Sequence, residues 1–300
     1  MTSERWRDLD LPVSKKYTGV RPHTPRETVA GAAAAAAEAD GLVALGGGSA
    51  LDTAKAVSAE KDKPVVSVPT TYSGAEWAPT FGIRDERRRV KGGGGGAHLA
   101  GIVYEPELTL DLPAAESAGT ALNALAHCAE ALYVEGHNPE ADEHALEGAR
   151  LISSTLPLVL ADGHYVEARR QLLEGAMHAG QALAGAGLAL GHAMAQALGG
   201  RYAVPHGALN AICLPLALRF NEPVAAPEIE RFGEAMSTGD PVGRVKELAR
   251  AGGFTLLRHL GVPADELDSV AEEAAERRGA KANPRPASAA EIVELYRSVW

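Results

Sequence analysis

Aromatic residues make up only 5% of this 300-residue chain, and cysteine occurs twice. So few aromatics argue against a β-sandwich, whose strands favour aromatic and β-branched side chains, while the abundant alanine favours closely packed helices. Cys128 and Cys213 stand far apart in apolar surroundings without CxxC spacing, which excludes a redox motif and points to free buried thiols in a reducing cytoplasm. Positive charge is also short: 29 Lys and Arg against 39 Asp and Glu give a formal charge of −10. That balance excludes nucleic acid and anionic membrane surfaces as partners, since both need a basic face, and any anionic ligand must be gripped locally. No apolar run reaches the length of a membrane span free of polar residues, and MTSERWRDLDLPVSKKYTG lacks the apolar centre of a signal peptide. A soluble cytoplasmic protein is expected.

What the chain does have is an α/β beginning and a helical remainder. TPRETVAGAAAAAAEAD carries Thr24 and Glu27 at capping-box spacing with Pro25 between them, so a helix is expected over 25–38. A strand over 41–45, a glycine turn, a helix over 50–59 and a second strand in KPVVSVPTT make a β-α-β unit, hence a parallel pair with a right-handed crossover. The charged segment RDERRRVK and the five glycines at 92–96 read as a hairpin-like stretch running into a mobile solvated loop, because consecutive glycines keep much backbone entropy. From DLPAAESAG onward helices are expected over 114–133, 139–160, 164–185, 190–197, 207–220, 226–236, 240–260 and 287–298, broken at Pro139, Gly163, Pro205, Pro223 and Pro241. With 46% apolar residues the chain can fill two cores. The division expected is an α/β domain over 1–109 and an all-helical domain over 110–300.

Two polar strand ends suggest one crevice. Gly46, Gly47, Gly48 and Ser49 follow the first strand and open a helix, whose first amides and positive dipole end suit a pyrophosphate. Thr70, Thr71 and Ser73 end the neighbouring strand, where ligands of doubly wound sheets sit. In the helical part, Asn123 and His127 share one helix face, His192 opens a helix, and His206 precedes the next, with Gln196 between. Imidazoles with one oxygen ligand on facing helices are the pattern of a divalent transition-metal site. His23, His98, His137, His144, His178 and His259 lack such company and read as solvated.

The order GGGSALDTAKA, VPTTYSGAE, YEPELT, ALNALAHCAEALY and GHAMAQALGGRYAVPHGALNAICLP resembles the iron-containing alcohol dehydrogenase superfamily, in its maleylacetate reductase-like branch, from about residue 18 to the closing NPRPASAAEIVELYRSVW. The resemblance implies a dehydroquinate synthase-like fold, in which a Rossmann-like parallel sheet precedes a helix bundle. It implies NAD or NADP as cofactor, with Gly46 to Ser49 on the pyrophosphate, Asp52 facing the cofactor, Thr70, Thr71 and Ser73 along the nicotinamide half, and Lys91 reaching the ribose. The metal positions Asp, His, His, His of the alcohol dehydrogenases fall on Asn123, His127, His192 and His206. Iron or zinc is thus implied, weakened by an uncharged amide in place of aspartate.

Without metal, His127, His192 or His206 would polarise a keto group and supply a proton. Such relatives also carry some fifty residues ahead of the point where this chain reads YTGVRPHTP, so the first strands of the nucleotide domain are expected to be missing. The implied activity is NAD(P)H-dependent reduction of a small keto acid such as maleylacetate, by a chain expected to form homodimers, with Lys91 and Arg201 as cations for the anionic substrate. Alternatives are a metal-dependent alcohol or aldehyde dehydrogenase and a truncated, non-catalytic homologue that binds a partner. The lyase chemistry of dehydroquinate synthases finds no matching lysines and arginines.

Overall fold

The computed structural model describes all 300 residues. Three short apolar strands, β1 (Leu42–Gly46), β2 (Val65–Pro69) and β5 (Leu99–Ile102), form a parallel sheet in the order β1-β2-β5. The crossover from β1 to β2 is α2 (Gly48–Lys61), and Leu42 to Gly46 pair in register with Val65 to Pro69. Val29 and Ala32 of α1 (Arg26–Ala35) share a core with Leu42, Ala44, Leu51, Val57 and Val65. The outer edge of β1 is met by Met1, whose amino group donates to the Val43 carbonyl and whose own carbonyl accepts from Leu45 N.

The Thr24–Glu27 capping box does not form. Thr24 has φ +51°, and its hydroxyl donates to the Ser49 carbonyl (3.4 Å). Pro25 takes the cap position of α1, without a side-chain hydrogen bond. The cause is tertiary: Arg84 N donates to the Thr24 carbonyl and draws the residues before α1 onto the neighbouring strand.

That strand belongs to a hairpin where a mobile loop was expected. β3 (Phe81–Asp85) and β4 (Val90–Gly94) pair antiparallel, so Gly92, Gly93 and Gly94 lie in a strand. The Asp85 carboxylate nucleates the turn by accepting from Arg87 N and Arg88 N, both at 3.1 Å, and the Arg88 amide is the main cause holding its carboxyl below the usual range. The glycines fit because a Cβ at Gly93 would lie 2.9 Å from the Phe81 carbonyl oxygen and one at Gly94 would lie 2.6 Å from the Phe81 ring. Packing against Phe81 offsets the backbone entropy that the sequence alone weighs so heavily.

The rest is helical. The helices are α3 (Ala114–Ala131), α4 (Pro139–Ala161), α5 (Val166–Ala186), α6 (Leu190–Tyr202), α7 (His206–Ala235), α8 (Pro241–Ala251), α9 (Leu267–Ala275), α10 (Arg278–Lys281) and α11 (Ala289–Arg297). The two helices expected over 207–220 and 226–236 meet end to end within α7, at a break where Ala225 leaves helical geometry (φ −138°, ψ 32°) between Pro223 and Pro227. The helix expected to reach 260 ends at Ala251, because Gly253 has φ +87° and turns the chain. No helix is long and apolar enough to cross a membrane. Both cysteines are free and buried.

Small residues let these helices meet at backbone distance. A Cβ on Gly207 of α7 would overlap the carbonyl of Gly119 on α3. Gly207→Ala should add about 1 kcal/mol of helix propensity, but the obstacle is backbone and cannot rotate away, at a cost of about 1–3 kcal/mol or more. The expected outcome in urea unfolding is a lower midpoint. Gly239→Ala, whose added Cβ meets nothing within 4 Å, serves as the neutral control.

Candidate active site

The glycine turn and the polar end of β2 form one wall. Gly47 caps α2 with no side chain in the way, and a Cβ there would sit 2.8 Å from Thr71 Cγ2. At Gly48 an added Cβ would meet only Ser73 Oγ, at 3.9 Å, so the start of the helix faces open space beside that hydroxyl. Gly46 has φ +143°, a backbone state that side chains disfavour. Thr70 is buried, and Thr71 Oγ1 is buried without a hydrogen-bond partner. Ser49 Oγ accepts from His23 N (3.0 Å). The arrangement has the features that suit a phosphate: a helix N-terminus, no Cβ, and hydroxyls on the facing strand end.

Asp52 and Lys91 stand at the side of the cradle. One Asp52 oxygen accepts from Gly82 N (3.1 Å) and the other pairs with Lys55 Nζ (3.0 Å). Lys55 is almost fully buried and also donates to the carbonyls of Thr80 (2.6 Å) and Ala75 (2.8 Å). Asp52 thus fastens the hairpin to α2. Lys91 lies along Gly82 with its ammonium pKa lowered, chiefly by burial, with Asp52 opposing. On its other side β4 rests on α6, where a Cβ at Gly200 would come within 2.7 Å of Lys91 N.

Facing this wall, α3, α6 and α7 bring His127, His192 and His206 together. The His127 and His192 rings stack with centroids 4.6 Å apart at 19°, and His206 lies 5.8 Å from His192. Asn123 joins the cluster to the strand end by donating to the Ser73 carbonyl (3.1 Å). Its oxygen accepts from Asn210 (2.7 Å), while its amide nitrogen is 3.4 Å from His127 Nε2. Asn210 also donates to His206 Nε2 (3.0 Å). Behind His192 stands Glu130, fully buried, which accepts from Ala189 N (2.7 Å), His192 N (3.0 Å) and His192 Nδ1 (2.7 Å). His127 Nδ1, His192 Nε2 and His206 Nδ1 are buried without protein partners. Unmade hydrogen bonds of this kind cost about 1–3 kcal/mol each, so their grouping marks a place for a ligand.

The four residues aligned with a metal set do not fit a divalent ion as arranged here. Asn123 turns its nitrogen, a donor, toward His127, and its oxygen is already engaged by Asn210. No group of three or more His, Cys, Asp or Glu side chains is disposed to hold a metal. Sequence readings of residues outside that set meet corrections. Arg201 is no free cation, because it pairs with Glu266 (3.7 Å) and Glu273 (3.8 Å), away from the histidines. Gln196 is 3.4 Å from Arg277. His144 and His178 are paired, Nδ1 to Nδ1 at 2.9 Å, and half-buried His23 lies within the electrostatic reach of Lys91.

Glu130, Asn210 and Lys55 escape a sequence reading, although a signal exists. Asn210 follows His206 by four residues, as His127 follows Asn123, and Glu130 follows His127 by three, all on inward helix faces.

Comparison with known proteins agrees with this geometry. Residues 117–300 match the family model for the C-terminal part of the Fe-containing alcohol dehydrogenases, and residues 3–100 match that for iron-containing alcohol dehydrogenase. A maleylacetate reductase from Sphingobium indicum is 38% identical over 91% of this chain and 78% of its own length. An iron-containing alcohol dehydrogenase structure from Corynebacterium glutamicum superposes with a TM-score of 0.91 at 30% identity, covering 99% of this chain and 86% of that one. A maleylacetate reductase structure from Agrobacterium tumefaciens gives 0.84 at 34% identity, covering 95% and 81%. The chain therefore belongs to the iron-containing alcohol dehydrogenase family, NAD(P)-dependent oxidoreductases with a Rossmann-like sheet and a helical bundle. Within that family it lies in the maleylacetate reductase-like branch.

The cluster also sets a pH dependence. Burial drives the pKa values of His127 and His206 well below the ordinary histidine value, aided by His192 for the first and by Lys91 and then His192 for the second. Each is neutral when folded but binds a proton when unfolded below about pH 6.5, so the unfolded state gains as pH falls. Stability should be fully present above about pH 6.5 and drop below it by up to about 1.4 kcal/mol per pH unit for each ring. Urea unfolding between pH 7.5 and 5.5 should show a shallower slope for His206→Gln than for the unsubstituted chain.

Proposed function

We propose that the protein reduces a small keto acid of the maleylacetate kind with NADH or NADPH, in the cleft between residues 1–109 and 110–300. The observation that carries this reading is the group of unpartnered ring nitrogens on His127, His192 and His206, facing a glycine cradle with no Cβ to obstruct a phosphate. The bound dinucleotide supplies the hydride. Gly46, Gly47, Gly48 and Ser49 hold its pyrophosphate, Thr70, Thr71 and Ser73 line the path toward the histidines, and Lys91 reaches the ribose side, with Asp52 setting the hairpin that carries Lys91. His192 donates a proton from Nε2 to the substrate oxygen as the carbon is reduced, while His127 and His206 pack around it and exclude water. Lys91 is the foremost charged group acting on His206, and it is the cation offered to the substrate's carboxylate. Asn123 keeps its oxygen on Asn210 and turns its donor nitrogen to His127, so the proton is carried by the imidazoles themselves. The buried free thiols suit a reducing cytoplasm, and by analogy with its relatives the chain works as a homodimer.

The test is a fluorescence titration of the purified chain with NADH and then NADPH, followed by turnover of maleylacetate in metal-stripped protein. Gly48→Val should fold normally yet lose dinucleotide binding, since its side chain enters the open cradle. His192→Gln should keep binding and lose about 10²–10⁴-fold in kcat. Turnover that appears only on adding ferrous or zinc ions would move the assignment to a metal-dependent alcohol or aldehyde dehydrogenase. Absence of dinucleotide binding under all conditions would favour a non-catalytic homologue.

A further inference from the structure

We propose that Glu130 is a positioning residue: it commits His192 to carrying a proton on Nδ1, so that Nε2 is the one ring nitrogen able to exchange a proton with a substrate. This rests on the reductase reading above for its purpose, although the tautomer can be measured without turnover. One oxygen of Glu130 accepts from His192 N, and the other accepts from Ala189 N and lies 2.7 Å from His192 Nδ1. The carboxylate is therefore held from two sides and cannot rotate away from the ring. Gly191 makes the approach possible, because a Cβ there would stand 2.9 Å from Glu130 Oε1. A carboxylate beside Nδ1 accepts and fixes the proton there.

The other two rings are held differently. Nε2 of His206 faces the amide NH2 of Asn210 at 3.0 Å, and Nε2 of His127 faces that of Asn123 at 3.4 Å. An amide NH2 only donates, so both rings present Nε2 as an acceptor and carry their proton on Nδ1. His192 alone is backed by an acid while its Nε2 is buried and unpartnered. During reduction the doubly protonated His192 ring gives up its Nε2 proton, the substrate O–H bond forms, hydride goes from the dinucleotide to carbon, and the neutral Nδ1–H ring left against Glu130 takes a proton back from solvent. The logic is that of an acid–histidine pair in which the acid orients and the imidazole transfers.

Glu130→Gln tests it. Gln keeps the shape but has one accepting oxygen. With that oxygen on His192 N, its NH2 faces Nδ1 and drives the ring proton to Nε2; with it on Ala189 N, the ring keeps Nδ1–H but loses the charge that favours a second proton. In ¹⁵N-histidine spectra of the full chain, assigned with His192→Asn, the unsubstituted protein should show His192 in the single Nδ1–H form when neutral, and Glu130→Gln should lose that uniqueness, with an Nε2–H form appearing. Turnover should fall about 10²–10⁴-fold with the dinucleotide Kd unchanged, and Glu130→Gln should cost nothing further in a His192→Gln background, which a purely structural role would not produce. A neutral His192 ring protonated at Nε2 and bare at Nδ1 in the unsubstituted chain overturns the proposal even if the variant fails to fold. So does Glu130→Gln with the tautomer and kcat unchanged. An Nδ1–H ring in a chain that binds no dinucleotide and reduces no keto acid supports the positioning by Glu130 and overturns the reductase reading instead.

Discussion

The buried guanidinium of Arg169 holds the two halves of the cleft in register. It reaches from α5 with no carboxylate beside it, donating to Tyr72 Oη (2.8 Å), to the Gly163 carbonyl (2.6 Å) and to the carbonyls of Leu110 and Leu112 (both 3.3 Å). Tyr72 sits between Thr71 and Ser73, is fully buried, and has its hydroxyl pKa raised by that burial. Its hydroxyl also donates to Thr109, in the turn that leads out of the α/β part. The planar fork of arginine can satisfy several fixed carbonyls at once, which a lysine cannot. Through Tyr72 it fixes where the strand end lies against α3, and so where the Ser73 carbonyl meets Asn123. The end of β2, next to both the glycine turn and Asn123, is therefore anchored by a side chain that touches neither.

Much of this was legible in the amino-acid order. The β-α-β unit announces itself through two apolar runs and a glycine turn of the right spacing, because period and turn chemistry are local properties. The three histidines were legible as a group through family motifs, and their convergence follows from alanine and glycine on every facing helix. What escaped depended on partners distant in sequence. Gly92–Gly94 form a strand because Phe81 supplies the packing that they lack. Thr24 abandons its capping box because Ser49 and Arg84 compete for it. The break expected at Pro223 falls two residues later, at Ala225. Arg201 was misjudged because adjacency in sequence does not reveal which way a side chain points.

Glu130 and Lys55 share a further lesson. Each is a charged residue in an alanine-rich helix, where composition suggests a solvated face, yet each is fully enclosed. Burying such groups is tolerable only when hydrogen bonds surround them. Glu130 finds its bonds at the start of α6, where unpaired amides welcome an acid, and Lys55 finds them in the carbonyls leading into β3. The small neighbours that make the helices look featureless are what bring these acceptors and donors within reach.

The β3–β4 hairpin has a mechanical side. Its base is tied to α2 through Asp52 and Gly82, and its far end is tied to the helices, with Arg84 donating to the Gly200 carbonyl (3.1 Å) and Arg89 to that of Arg201 (3.2 Å). A cleft that widens by parting sheet from bundle must flex this ribbon along its length. Three side-chain-free residues in one strand make it compliant, while the pairing with β3 keeps it from unravelling. Fastened at both ends, it is a strap between sheet and bundle, so any shift of one against the other strains the ribbon.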